Sequence, residues 1–329
     1  MAMPRLLVDP EFAAAAIVPL SQFSDDITFV QGKLTAFDGK VGTVETSEGE
    51  VTLTSDISVL ATGSRYANSV TRAQSGSARD RIAEFKRHNA NLQSAKRVLI
   101  VGGGPIGVEL AGEITQDYPA ISVTVVEASD SLLTGTSRTV AAHAQKVLEA
   151  RGVSFIKGEK VTVPAYGEEP VGGTATTDMG RELPFDMIFW AVGSRANTAF
   201  MDPAFLNERG QIKVDDHLQV KGMSGVYALG DVTDVKEVKK AIYVGNQVPV
   251  VAKNIIRHVK NRSPRAVYKP KTVDEMMFVT LGRSGGVGHM PGLGMMKANW
   301  LIRMFKAKDM LTSMMRKATG APKSGRALG

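Results

Sequence analysis

The 329-residue sequence contains no cysteine. That absence excludes structural disulfides, thiolate metal sites, a cysteine nucleophile and any dithiol relay, so redox chemistry in this chain requires a bound cofactor. Long hydrophobic runs are lacking too. The longest near the N-terminus, Phe12 to Leu20, has nine residues, contains Pro19 and is flanked by Asp9, Glu11, Asp25 and Asp26. It is too short to cross a bilayer and too acidic at its flanks for a cleaved presequence, which leaves a cytosolic location as the default expectation. The five histidines show no metal-ligand spacing and no Ser-His-Asp arrangement can be read, so no metal is expected and hydrolase chemistry has no support.

Hydrophobic residues at 43% and charged residues at 22% match an ordinary globular chain, long enough for two domains with separate cores. The net charge of +7 is local: from Met290 to Gly329 eight Lys or Arg face one Asp, which accounts for the whole excess. The basic character therefore describes the C-terminus, and no specific nucleic-acid partner is expected.

Residues 28 to 63 read as short strands: Thr28 to Gln31, then Thr43 to Thr46 and Val51 to Thr54 joined through Glu48-Gly49, then Ile57 to Ala61 ending in Ala61-Thr62-Gly63-Ser64. Arg79 to Ala95 reads as a surface helix linking two units. A β-α-β unit follows, with the strand Val98 to Val101, the helix Pro105 to Gln116 and the strand Ser122 to Val126. Thr136 to Gly152 is a further helix and Val153 to Ile156 a strand. Leu183 to Gly193 is an apolar strand whose Gly ending echoes Ile57 to Gly63, as in two related nucleotide-binding domains. Val226 to Gly230 is a strand stopping at Asp231, and Ala241 to Val259 is a long helix closing on basic residues. Thr272 to Leu281 is strand-like, Ser284 to Gly294 is Gly-rich, and Leu293 to Lys317 reads as a Met-rich basic helix.

The strongest chemical signal is Gly102-Gly103-Gly104-Pro105-Ile106-Gly107, a G-x-G-x-x-G turn directly after a strand and opening a helix. Gly102 permits the tight turn, Gly104 removes a Cβ that would strike a pyrophosphate, and Gly107 lets helix and strand pack closely, while the helix N-terminus offers N–H groups to phosphate. Glu127 lies twenty residues beyond Gly107 at a strand end, where a carboxylate accepts from both ribose hydroxyls and repels a 2'-phosphate. NADH is therefore expected over NADPH. Glu109, early in the same helix, reads either as a participant near the reacting groups or as a first-turn acid favoured by the helix dipole. Asp231 reads either as a polyol acceptor or as a turn residue.

The segments 57 to 64, 98 to 109, 188 to 193 and 226 to 231 occur in an order that resembles the FAD-dependent pyridine nucleotide oxidoreductases, and specifically their apoptosis-inducing-factor-like and ferroptosis-suppressor-like group. Gly112-Glu113-Ile114, Tyr118-Pro119, His217-Leu218-Gln219-Val220, Leu281-Gly282-Arg283 and Gly286-Val287-Gly288 extend the likeness to roughly residues 4 to 320. The resemblance implies an α/β chain of two Rossmann-like FAD/NAD(P)-binding domains, with the NAD domain inserted into the FAD domain, and a small C-terminal α+β layer. It implies hydride transfer from nicotinamide to FAD and onward electron transfer to a quinone-like acceptor. Ala61, Thr62 and Gly63 match the segment that lines FAD, Gly230 and Asp231 the strand end that binds its ribityl chain, and Lys239 with Ala241 the Lys-x-Ala lead-in to a helix aimed at the flavin. Gly193 matches the strand end near the nicotinamide, with Pro105 and Ile106 joining the NAD turn. Glu109 and Lys239 are the candidate catalytic side chains.

Family members open with their own strand, G-x-G-x-x-G turn and helix for the FAD pyrophosphate, and no Gly-rich turn precedes Gly32. The expectation is a truncated first FAD-binding portion over 1–75, a linker helix over 76–96, the NAD domain over 97–200, the FAD domain continued over 201–264 and a C-terminal region over 265–329. Tight FAD binding by this chain alone is not expected on that reading. The alternative function is a non-catalytic NADH-binding protein. The basic helix over 293–317 suggests peripheral contact with an anionic membrane as well as packing on the FAD domain.

Overall fold

A computed structural model describes residues 2–18, 26–68, 70, 77–270, 277–290, 292, 294–296 and 299–321. The chain forms two compact units: Met1–Phe29, Tyr66–Gly193 and Asp274–Gly329 make the first, Val30–Arg65 and Ser194–Val273 the second. In chain order the elements are α1 (Met3–Val8), α2 (Ala13–Ala16), β1 (Lys33–Phe37), β2 (Val41–Thr46), β3 (Gly49–Thr54), β4 (Ser58–Leu60), β5 (Ser64–Arg65), α3 (Ala78–Ser94), β6 (Arg97–Val101), α4 (Pro105–Asp117), β7 (Ser122–Glu127), α5 (Arg138–Glu149) and β8 (Ser154–Lys157). They continue as β9 (Val161–Val163), β10 (Gly173–Thr177), β11 (Glu182–Phe185), β12 (Met187–Trp190), β13 (Arg195–Ala196), β14 (Val226–Ala228), α6 (Ala241–Val259), β15 (Met277–Thr280), β16 (Gly286–Met290), β17 (Gly294–Met296), α7 (Asn299–Ile302) and α8 (Thr312–Thr319).

The first unit is built on a parallel sheet in the order β12-β6-β7-β8. Its strands are apolar on both faces because both are covered: Val98, Ile100, Val123, Val125 and Phe189 join Val108, Leu110 and Ile114 of α4 in one buried core, and Leu99, Val101, Val126, Ile188 and Trp190 on the other face meet Ala175 of β10 and Phe185 of β11. Helix α3 belongs to this core. The side chain of Ser77 caps it by accepting from Asp80 N at 3.0 Å, and Phe85 and Leu92 are fully buried. The expected linker helix is thus a core helix, because its sparse apolar residues at 85 and 92 share one face.

The antiparallel sheet β11-β10-β9 was not legible in the sequence. Expected as one strand, 183 to 193 is two. Asp186 separates β11 from β12, its carboxylate accepting from Lys96 N and Arg97 N at 2.8 Å each and from the Arg97 guanidinium at 2.9 Å.

The N-terminal and C-terminal segments also pack in this unit. Leu6 and Leu7 are buried in the main core with Val279, Leu281 and Val287. Arg5 is fully buried and grips Glu113 of α4 through two hydrogen bonds of 2.6 and 2.8 Å, and it donates to Ala307 O at 3.0 Å. Residues expected as a partial FAD domain (1–29) and as a separate layer (274 onward) are therefore part of the unit that contains the Gly-rich turn.

The basic helix expected over 293–317 is broken. It begins as strand β17, continues as α7 and a π-helical turn (Arg303–Ala307), and stops where Met310 and Leu311 take φ of 52° and 64° before α8. Burial of Ile302, Ala307 and Met310 overrides helical continuity, and Lys306 and Arg316 are drawn inward, Lys306 to Glu109 and Arg316 to the carbonyls of Ala14 and Ala15. Among the described residues no helix is long and apolar enough to cross a membrane.

In the second unit β1-β2-β3 form an antiparallel sheet, β4 pairs in parallel with β14, and β5 pairs antiparallel with β13. Thr28 to Gln31 forms no strand. The apolar side chains here find no partner surface, Ile27 and Phe29 staying 65% and 46% exposed, and the boundary between the units falls at Phe29. Leu60, Tyr227, Ala228 and Val251 of α6 share the second unit's core.

Candidate functional site

In the first unit, β6 carries the chain to the C-terminal edge of the parallel sheet. Gly102 leaves it with φ of +112°, and a Cβ there would overlap Val192. Gly102 N donates to Val126 O at 2.7 Å, which fixes the turn between β6 and β7. A Cβ on Gly107 would overlap the Gly102 carbonyl oxygen, so α4 starts directly against the turn. Gly104 differs from both: with φ of −71° it is unstrained, it is the N-cap of α4 ahead of Pro105, and nothing lies within 4 Å of where its Cβ would be. The turn is closed at Gly102 and Gly107 and open at Gly104, the end of α4 where a helix leaves its first-turn N–H groups, here those of Ile106 and Gly107, without intrahelical partners and suited to an anion.

Glu127 ends β7 beside this turn. One carboxylate oxygen accepts from Gly103 N at 2.6 Å and the other from Ser129 N at 2.8 Å. Each oxygen keeps a second lone pair, so an orientation fixed by two backbone donors leaves acceptor capacity for a vicinal diol. The opposite wall is the continuation of β12: Ala191 N donates to Val101 O at 2.8 Å, and Gly193 has φ of +64°. The strand order places β7 and β12 on either side of β6, the reversal point at which open α/β sheets bind dinucleotides.

Glu109 is buried, and its carboxylate accepts from Thr280 N at 3.0 Å and Lys306 Nζ at 2.5 Å. It is committed to the C-terminal strands and the π-helical turn, which favours the structural reading of this residue.

A second group assembles in the second unit at the C-terminal ends of β4 and β14. Leu229 N donates to Leu60 O at 3.1 Å, holding the two strand ends side by side. Ala61 and Thr62 are exposed there, and the Ser64 hydroxyl donates to Asp231 at 2.7 Å. Asn197 ties the segment down, donating from its amide to Thr62 O at 2.9 Å and from its backbone to Gly63 O at 2.9 Å. Gly63, at φ of +66°, has nothing within 4 Å of a Cβ position. Gly230 N donates to the Gln247 side chain at 2.6 Å, which links this strand end to α6. Lys239 donates to Val235 O at 2.9 Å, and its burial pulls the ammonium pKa below the ordinary lysine value against the opposing pull of Glu237, Asp231 and Asp234. Ala241 is the exposed first residue of α6 after Lys240.

The structure thus brings Gly102, Gly104, Pro105, Ile106, Gly107, Glu127 and Gly193 together in one unit, and Ala61, Thr62, Gly63, Gly230, Asp231, Lys239 and Ala241 in the other. Sequence reasoning missed Ser64, Asn197 and Gln247. Ser64 was legible as the neighbour of Gly63, whereas Asn197 and Gln247 reach their partners from distant elements.

A family profile described as pyridine nucleotide-disulphide oxidoreductase matches residues 7–261. The chain is 30% identical to the FAD-dependent oxidoreductase FVFD30 of Flammulina velutipes over 323 residues, covering 94% of this chain and 96% of that protein. It is 30% identical to ferroptosis suppressor protein 1 of Mus musculus over 326 residues, covering 94% of this chain and 83% of that protein. Among solved structures it superposes on the water-forming NADH oxidase from Lactobacillus brevis bound to NADH with a TM-score of 0.59 at 20% identity, over 78% of this chain and 57% of that one. The chain spans little more than half of that solved protein, and the likeness there is one of fold.

Proposed function

The chain belongs to the pyridine nucleotide-disulphide oxidoreductase family, and from that premise we propose that it is an FAD-dependent NAD(P)H oxidoreductase, with NADH preferred, that passes electrons to a quinone-like acceptor. The observation that carries this reading is Glu127 fixed by Gly103 N and Ser129 N beside an open Gly104 turn. That donor and acceptor set fits the ADP half of NADH: amides at the helix N-terminus for the pyrophosphate, a carboxylate for the ribose diol, and a negative charge that opposes a 2'-phosphate.

The second unit fits part of FAD. Asp231, oriented by the Ser64 hydroxyl, offers a carboxylate to a polyol, and the open space at Gly63 admits a ligand against backbone. Lys239 and the N-terminus of α6 supply positive potential at the same strand end. When bound, FAD supplies the two-electron acceptor that nicotinamide reduces and that in turn reduces the acceptor. The chain's own part is to bind and orient. With no cysteine in the sequence, electrons have no protein disulfide to enter, which supports a diffusible acceptor.

The test is an absorption spectrum of the purified chain, followed by NADH oxidation with a soluble quinone. Because the chain covers 96% of the FAD-dependent oxidoreductase FVFD30, flavin bands are expected in place of the weak FAD binding suggested by the lack of a Gly-rich turn before Gly32, together with quinone-dependent turnover. A second reading, an NADH-binding protein without flavin chemistry, rests on the described residues holding one Gly-rich strand-to-helix cradle, Gly102–Gly107. Saturable NADH binding with no flavin and no turnover would select it.

A further inference from the structure

On the reading that the Gly102–Gly107 turn binds NADH, we infer that Tyr166 is a positioning residue for the nicotinamide half of the dinucleotide, acting through the carbonyl of Gly193. With Glu127 on β7 taking the adenosine ribose, a dinucleotide crossing the turn must lay its other half over the continuation of β12. That wall is Ala191 to Gly193. It is held against the turn by Ala191 N donating to Val101 O, and Val192 fills the space a Gly102 Cβ would need.

Tyr166 comes to this wall from the loop between β9 and β10. Its hydroxyl donates to Gly193 O at 2.8 Å, with Val192 O at 3.3 Å as a second acceptor. Its ring stands edge-on to Trp190, with centroids 5.5 Å apart and planes at 80°. Trp190 in turn donates from its indole nitrogen to Glu168 O at 2.8 Å, so the loop is pinned both at Tyr166 and two residues beyond it. A side chain at Gly193 would begin 2.9 Å from the tyrosine oxygen, so at this left-handed position glycine leaves the hydroxyl room to reach the carbonyl.

Tyr166 is nevertheless 45% exposed. A half-exposed ring whose hydroxyl orients the last carbonyls of one strand contributes little to a core, yet it fixes the peptide planes that a nicotinamide riboside meets. Without the hydroxyl the Gly193 peptide, in left-handed backbone, loses the donor that sets its plane. The adenosine side at Glu127 keeps all its contacts.

This asymmetry supplies the test. NADH and ADP-ribose, which lacks the nicotinamide, are each titrated against the wild-type chain, Tyr166→Phe and Tyr166→Ala, with a thermal melt of each protein. Tyr166→Phe is expected to melt with the wild type and to bind ADP-ribose unchanged, while its NADH affinity falls about threefold to tenfold, the range for one lost hydrogen bond. Tyr166→Ala should extend the loss for NADH alone. Equal weakening of both ligands, or no change for NADH, overturns the inference. If the wild type binds neither ligand, the dinucleotide reading itself has failed.

Discussion

Substituting alanine at Gly104 and at Gly107 separates binding from folding within a single turn. At Gly104 the backbone, φ −71° and ψ −178°, suits any L residue, and no atom lies within 4 Å of the added methyl. The stability change should stay within about 0.5 kcal/mol, since lost N-cap quality offsets the reduced freedom of the unfolded chain. The methyl does enter the space left for a pyrophosphate, so NADH affinity should fall at least about tenfold, or about 1.4 kcal/mol. At Gly107 the methyl would overlap the Gly102 carbonyl and lie 3.3 Å from the Ala191 Cβ. Backbone opposed to backbone cannot rotate away, so overpacking of about 1–3 kcal/mol is expected, lowering Tm by several degrees. Thermal melts and NADH fluorescence titrations on both variants make the comparison. A Gly104→Ala protein that binds NADH like the wild type refutes the assignment of the open turn, and an unshifted Gly107→Ala melt refutes the packing argument.

Arg5→Leu leaves Glu113 buried without its cation and should cost about 3–5 kcal/mol, whereas Arg5→Leu with Glu113→Leu should recover most of it, because the pair's mutual attraction largely offsets its desolvation; urea midpoints decide. Asp186 has its carboxyl held down at about 2, chiefly by the Arg97 side chain and then by the backbone N–H groups of Lys96 and Arg97. A depressed acid stabilises the fold above its ordinary value of 3.8 and loses that contribution as pH falls toward about 2, so acid titration of the folded state should show a destabilising limb there that Asp186→Asn flattens. Glu127→Gln removes the charge but keeps an acceptor oxygen, and it should narrow the preference for NADH over NADPH in kcat/KM; an unchanged ratio places the 2'-discrimination elsewhere.

The parallel sheet and its turn were legible because their signals are local. The continuous apolar run at 98–101 and the valines at 123, 125 and 126 mark buried parallel strands, and the Gly spacing marks the turn between strand and helix. Helix α6 was read to its terminal residues, Ala241 and Val259, because its apolar spacing runs uninterrupted through Pro249. What the sequence hid was set by distant contacts. The β9–β11 sheet is made of short strands rich in polar residues such as Thr162 and Thr176, and its buried positions, Ala175, Thr177 and Phe185, are too few and too mixed to give a periodic apolar signal. The C-terminal segment has helical periodicity, but burial of Met310 and the Glu109–Lys306 pair break it. Tyr166 belongs to a loop whose meaning depends on Gly193 being folded against it.

Anaerobic titration of the flavin-loaded chain with NADH tests the central claim most directly. The oxidised flavin bands should disappear at about one equivalent of NADH, NADPH should need a higher concentration, and Gly104→Ala should retain flavin while moving the NADH titration to at least about tenfold higher concentration. Flavin that stays oxidised in the presence of bound NADH would contradict the claim.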